Sequence, residues 1–181
     1  MSVYYPTGCD TDVPAHICDM CESPELGRVS SIAFIKNTFT FTDPSNPVEW
    51  QTGFAAGDII LIPQTKGTFD GGSEVETPGY GRQATRLVGY NFQLQYQDPN
   101  YRENCNFYNA IKRSRAYKVA YATETQIHIS DTVVSVIPKN PVQDDVNSEV
   151  VWDVLVKWAG ADLPCPFDLP EGIFDECVAV V

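Results

Sequence analysis

Metal-binding chemistry in this chain is concentrated near the N-terminus. Cys9, His16, Cys18 and Cys21 fall within one short segment, and Cys18-Asp19-Met20-Cys21 is a Cys-x-x-Cys. Thiolates with an imidazole are the usual donor set for tetrahedral zinc, and a two-residue gap lets a tight turn aim both sulfurs at one ion. A structural zinc is therefore one reading, with Cys165 or Cys177 as a further ligand if the C-terminal tail folds back. Free thiols and disulfides are the other two, and spacing alone leaves all three open. A redox centre would place the Cys-x-x-Cys at a helix start, whereas Pro14 and Pro24 flank this one and mark a loop.

No catalytic set accompanies these donors. His16 and His128 are the only histidines, and His128 lies in a strand-like segment. No Gly-x-Ser-x-Gly elbow occurs. Gly71-Gly72 and Gly79-Tyr80-Gly81 are not followed by the Gly-Lys-Ser/Thr of a phosphate loop. The carboxylate pairs Asp144-Asp145 and Asp175-Glu176 fall in loop or tail segments without aromatic platforms. The expectation is a protein that is not an enzyme.

The elements that would position these residues are mostly strands. Residues 28–36 alternate Ile32, Phe34 and Lys36 against Ala33 and Ile35, which reads as a strand buried in part on both faces. Residues 47–52 suggest a short helical turn leading to Gly53, and 57–63 a core strand. Residues 64–83 hold five glycines and Pro78. They read as a structureless stretch, either a hairpin tip or an ordered intersubunit or ligand loop. Residues 84–97 alternate strictly, with Val88, Tyr90, Phe92, Leu94 and Tyr96 on the apolar face. A strand of that length must bend or project beyond the core.

An amphipathic helix is expected at 101–113, capped by Asn100 or Asp98, with a stripe of Tyr101, Cys105, Tyr108 and Ile111 widened by Phe107 and Ala110. Cys105 then reads as a buried small hydrophobe. Strands follow at 117–123, 126–129, 133–138 and 150–158, with an acidic loop at 141–148. The fold class expected is mainly β, a β-sandwich or partly open barrel with one flanking α-helix and long loops. The chain divides into a Cys-rich N-terminal arm (1–27), a β-rich core domain (28–158) and a Pro-rich C-terminal tail (159–181) docked on the body or on a neighbour.

Composition narrows the partners. The formal net charge is −12, which disfavours nucleic-acid binding through the general surface, because phosphate contacts need Lys and Arg. Arg82, Arg86, Arg102, Lys112, Arg113, Arg115 and Lys118 cluster in the middle of the chain, and both ends are acidic. That polarity suits head-to-tail subunit contacts, and a solvated face explains it as well. No secretory signal and no long apolar run are visible, so neither export nor a membrane is expected.

The order of segments resembles virion structural proteins of tailed bacteriophages, tail-tube-type proteins and their ring-forming relatives. The segments that carry the resemblance are the Gly-rich 66–81 stretch, 85–96 before the helix, Asn106-Phe107-Tyr108-Asn109-Ala110-Ile111 within it, and Trp152-Asp153-Val154-Leu155-Val156-Lys157-Trp158. The layout is similar to proteins of Bacteroidetes phages that carry a Cys-containing N-terminus before such a core. It covers residues 28–158, while the Cys-rich lead-in and Pro-rich tail depart from the common tail-tube pattern. The resemblance implies a homo-oligomeric ring or tube in the virion, assembled in the bacterial host cytoplasm. Other virion proteins would be its partners, with DNA only as non-specific passing cargo. The loop at 64–83 would then staple subunits, with Phe69 and Tyr80 as apolar anchors and Arg82 and Arg86 as polar partners. A capsid-decorating protein is one alternative. A receptor- or carbohydrate-binding β module of a fibre is another, with Trp50, Tyr80 and Tyr101 as exposed sugar platforms.

Overall fold

The computed structural model describes residues 13–18, 21, 23–25 and 27–175. In chain order the elements are β1 (Ser31–Lys36), α1 (Pro47–Ala56), β2 (Ile59–Ile62), β3 (Lys66–Phe69), β4 (Ser73–Thr77), β5 (Arg86–Asp98) and α2 (Cys105–Ile111). They continue with β6 (Tyr117–Ala122), β7 (Gln126–Ile129), β8 (Ser135–Lys139), β9 (Trp152–Gly160) and β10 (Phe167–Asp168). The protein is mainly β. One sheet runs β10-β7-β6-β1-β2; the other runs β3-β5-β9-β8, with β4 also paired to β5. Every pairing between strands is antiparallel, and the sheets do not close into a barrel. They are joined at one corner, where Val29 and Gly67 exchange two backbone hydrogen bonds of 3.1 and 2.9 Å.

The period-two pattern of β5 sets the main core. Phe92, Leu94 and Tyr96 point inward while Asn91, Gln93, Gln95 and Gln97 face solvent. Val154 and Val156 of β9 and Ile32 and Phe34 of β1 complete the layer between the sheets. The opposite face of β1 is also buried, because Ala33 and Ile35 meet a second cluster built around Trp50. Strand β8 is an edge strand, where Pro138 leaves no ladder donor unmet.

The described residues hold two helices rather than one. α1 extends the expected short turn to three helical turns. The Asn46 side chain caps it by accepting from Val48 N at 3.0 Å, and Pro47 occupies the first helical position. Its Trp50 is fully buried, with Phe41 and Phe174 rings at 4.6 and 5.1 Å and its indole N–H donating to the Pro44 carbonyl at 2.7 Å. Trp50 is thus a core residue, which removes it as a sugar platform. Phe174 and its neighbour Ile173 show the tail docked against the body, and β10 adds to β7.

α2 is shorter than periodicity suggested. Residues 101–104 form turns, and the helix begins only at Cys105. Tyr101 packs on Trp152 at 5.4 Å, and the Trp152 indole N–H donates to the Tyr101 carbonyl at 2.9 Å. Tyr101 is half-buried there. Cys105 and Ala110 are exposed, contrary to the expected stripe, because only Tyr108 and Ile111 face the sheets, with Phe107 half-buried beside them. The expected cap serves another purpose. Asp98, 1% exposed, accepts from Asn100 N at 2.9 Å and from the Tyr108 hydroxyl at 2.7 Å, tying the end of β5 to the helix. Burial pushes the Tyr108 and Tyr96 hydroxyls well above the ordinary tyrosine range, so both stay protonated.

Candidate functional site

The glycine-rich stretch is not structureless. β3 and β4 run along the same edge of β5, β3 against Leu94–Gln97 and β4 against Arg86–Asn91. Together they act as one long strand broken at residues 70–72. Asp70 repairs the break: its carboxylate accepts from Gln93 N and Gly72 N, each at 3.0 Å, and its own N–H donates to the Gln93 carbonyl. Gly72 has φ +96°, and a Cβ there would lie 2.7 Å from the Phe92 ring. Glycine is required at that position by both backbone and space.

Beyond this break the sheet thins to a two-stranded ribbon. β9 pairs with β5 only from Tyr90 to Asp98, so among the described residues Arg86–Gly89 have β4 as their only partner strand. Every residue of β4 is exposed, as are Arg86, Leu87 and Val88. The over-long strand therefore projects, as its length required. The tip turns through a Tyr80-to-Gln83 backbone hydrogen bond of 3.1 Å, and a Cβ on Gly79 would meet the Gln83 carbonyl at 2.5 Å.

The arm exposes apolar surface. Val75 is 38%, Leu87 49%, Val88 53% and Tyr80 85% exposed. Arg82 and Arg86 are exposed on the same arm, and neither has an ion-pair partner among the described residues. Two-stranded ribbons are marginal in water by themselves, and their free edges invite pairing with another chain. Of the four residues expected to form an assembly loop, the structure brings Tyr80, Arg82 and Arg86 onto the arm. Phe69 lies elsewhere. Its ring is half-buried between Phe92, Tyr121 and Trp158, with centroids at 5.8, 4.8 and 5.8 Å, so it is spent on the core rather than offered to a neighbour. Leu87 and Val88 were missed as arm residues, although the excess of apolar residues over one sheet width was a signal for them.

The metal-ligating segment is only partly described. Cys9 and Cys177 lie outside the described residues. His16, Cys18 and Cys21 are exposed, and Cys165 is exposed in the tail. Among the described residues no group of three His, Cys, Asp or Glu side chains is placed to hold a metal ion. None of the described helices is long and apolar enough to cross a membrane.

Comparison of the chain with family models, with curated proteins and with solved structures finds no match in any of the three.

Proposed function

We propose that the chain is a structural subunit of a phage virion, self-assembling into a ring or tube of the tail or head–tail connector through which DNA passes. The projecting ribbon carries this reading. It presents Val75, Tyr80, Leu87 and Val88 to solvent, and none of the described residues covers them. A second copy would cover that surface and pair with the free edge of β5. A contact in which the arm seats on a different surface of the next copy is heterologous, and such contacts close into rings or stack into tubes. A formal charge of −12 supports the transit of DNA, since like charge suppresses phosphate binding.

The test is the assembly state of the pure full-length protein, by negative-stain electron microscopy and sedimentation velocity. Rings or tubes are expected. A monomer at every accessible concentration refutes the reading.

A further inference from the structure

An arm that joins two copies needs a receiving surface, and the edges of the two sheets differ in how open they are. β10 offers two residues, and β8 is blunted by Pro138. β2 has neither protection. It ends the first sheet, pairs with β1 alone, and reads Ile59-Ile60-Leu61-Ile62, with no charge and no proline. One contact fixes which backbone groups face outward. Lys36 N donates to the Asp58 carbonyl at 2.8 Å, and these two residues continue the β1–β2 register. Bonded pairs alternate along an antiparallel ladder, so Ile60 and Ile62 bond to β1. The N–H and C=O groups of Ile59 and Leu61 point the other way, and no described residue pairs with them.

This open edge borders a groove of about 260 Å³. Ile60 and Leu61, both half-buried, form one wall, and Asn100, Asn104 and Phe107 around the start of α2 form the other. An unpaired strand edge beside apolar side chains is the setting in which an extended segment adds to a sheet. The surroundings are basic. Residues 99–118 carry Arg102, Lys112, Arg113, Arg115 and Lys118 against one carboxylate, Glu103, in a chain of net charge −12. Arg102 falls between the two groove asparagines in sequence, and Lys112 caps the far end of α2. Asp98 also lines the groove, but it is buried and its carboxylate already accepts from Asn100 N and the Tyr108 hydroxyl.

The arm has two open edges. That of β4 carries Glu74 and Glu76, both exposed and neither in an ion pair, since Lys36–Asp58 is the one ion pair among the described residues. That of β5 carries Arg86. The β4 edge is therefore the one whose charge complements the groove.

We propose that the β4 edge of one copy's arm adds as a strand to β2 of the next copy, in the groove beside α2, with Glu74 and Glu76 facing Arg102 and Lys112. This rests on the assembly reading above and names the surface that receives the arm. Side chains alternate along a strand, so Val75 then falls on the opposite face, the side on which Leu61 packs against the Trp50 cluster.

The experiment is hydrogen exchange at single-residue resolution by mass spectrometry, on the assembled full-length protein and on the subunit dissociated by dilution. Ile60 and Ile62 amides are bonded to β1 in both states, so slowing by about tenfold or more on assembly is expected at Ile59 and Leu61. Sedimentation velocity of charge-reversed variants is the second measurement. Glu74→Lys with Glu76→Lys should weaken association about tenfold, as should Arg102→Glu with Lys112→Glu, and the four changes together should return it to within about threefold of wild type. All four positions are exposed, so the subunit should fold in every variant. Assembly without slowing at Ile59 and Leu61, or a fourfold variant weaker than either pair, overturns this inference and leaves the assembly reading standing. Slow exchange at both amides in the dissociated subunit also overturns it, since the chain's own residues then fill the groove. A protein that never assembles removes both.

Discussion

The arm can be tested by making it polar without shortening it. In a Tyr80→Ser, Leu87→Thr, Val88→Thr variant the β-branched threonines keep strand preference, and the turn through Gly79 and Gly81 is untouched. Leu87 and Val88 are about half-exposed in the subunit, at 49% and 53%, and Tyr80 is 85% exposed. Fully burying an aliphatic side chain is worth about 1.5–3 kcal/mol, so completing the burial of Leu87 and Val88 contributes about 1 kcal/mol each. A tyrosine anchor at the centre of an interface contributes about 2 kcal/mol. The triple variant should therefore lose about 4 kcal/mol per subunit contact, close to a thousandfold in the association constant. The isolated fold should barely change, because surface substitutions away from structural features stay within about 0.5 kcal/mol. Sedimentation velocity across a concentration series reads the first quantity, and urea denaturation of the dissociated subunit reads the second. Assembly at wild-type concentration by a variant that folds normally would refute the assignment of the arm. A large loss of subunit stability would show instead that the arm packs on its own body.

Three other perturbations test the scaffold. Gly72→Ala should cost about 1–3 kcal/mol in urea denaturation, through a left-handed backbone and the Phe92 contact together. Tyr108→Phe removes the one side-chain donor to Asp98 Oδ2 among the described residues and should cost about 2–3 kcal/mol with an unchanged m-value. His128 is held neutral by burial, so its folded pKa lies below the unfolded value of 6.5. Its contribution is complete above pH 6.5 and fades as pH falls toward the depressed folded value. Between pH 7 and 5, ahead of most carboxylate titration at about 4, wild-type stability should fall, and His128→Phe should flatten that slope.

Sequence pattern reached the parts of this fold where burial alternates. β5 and β9 each bury one face against the other sheet, so Phe92, Leu94, Tyr96, Val154 and Val156 repeat every second residue and could be read directly. β4 could not. Ser73–Thr77 buries nothing on either face, and its only reason to be extended is the ladder it shares with β5. A strand held by pairing alone leaves no mark in hydrophobicity, and the glycines at 71 and 72, which permit the break, read as loop. The same logic explains α2. Tyr101 fits a helical stripe, but its ring and carbonyl are claimed by Trp152, a residue whose proximity no local pattern encodes. Trp50 shows the converse: residues 47–52 read as a short helical turn, but nothing local says that Phe174, far along the chain, will close over its indole. Tyr121 and His128 are the sharpest case. Each looked like an ordinary strand residue, and only the β6–β7 register sets them ring to ring. Chemistry that depends on register is written in the pairing of strands, so it becomes legible once the sheet is known and not before.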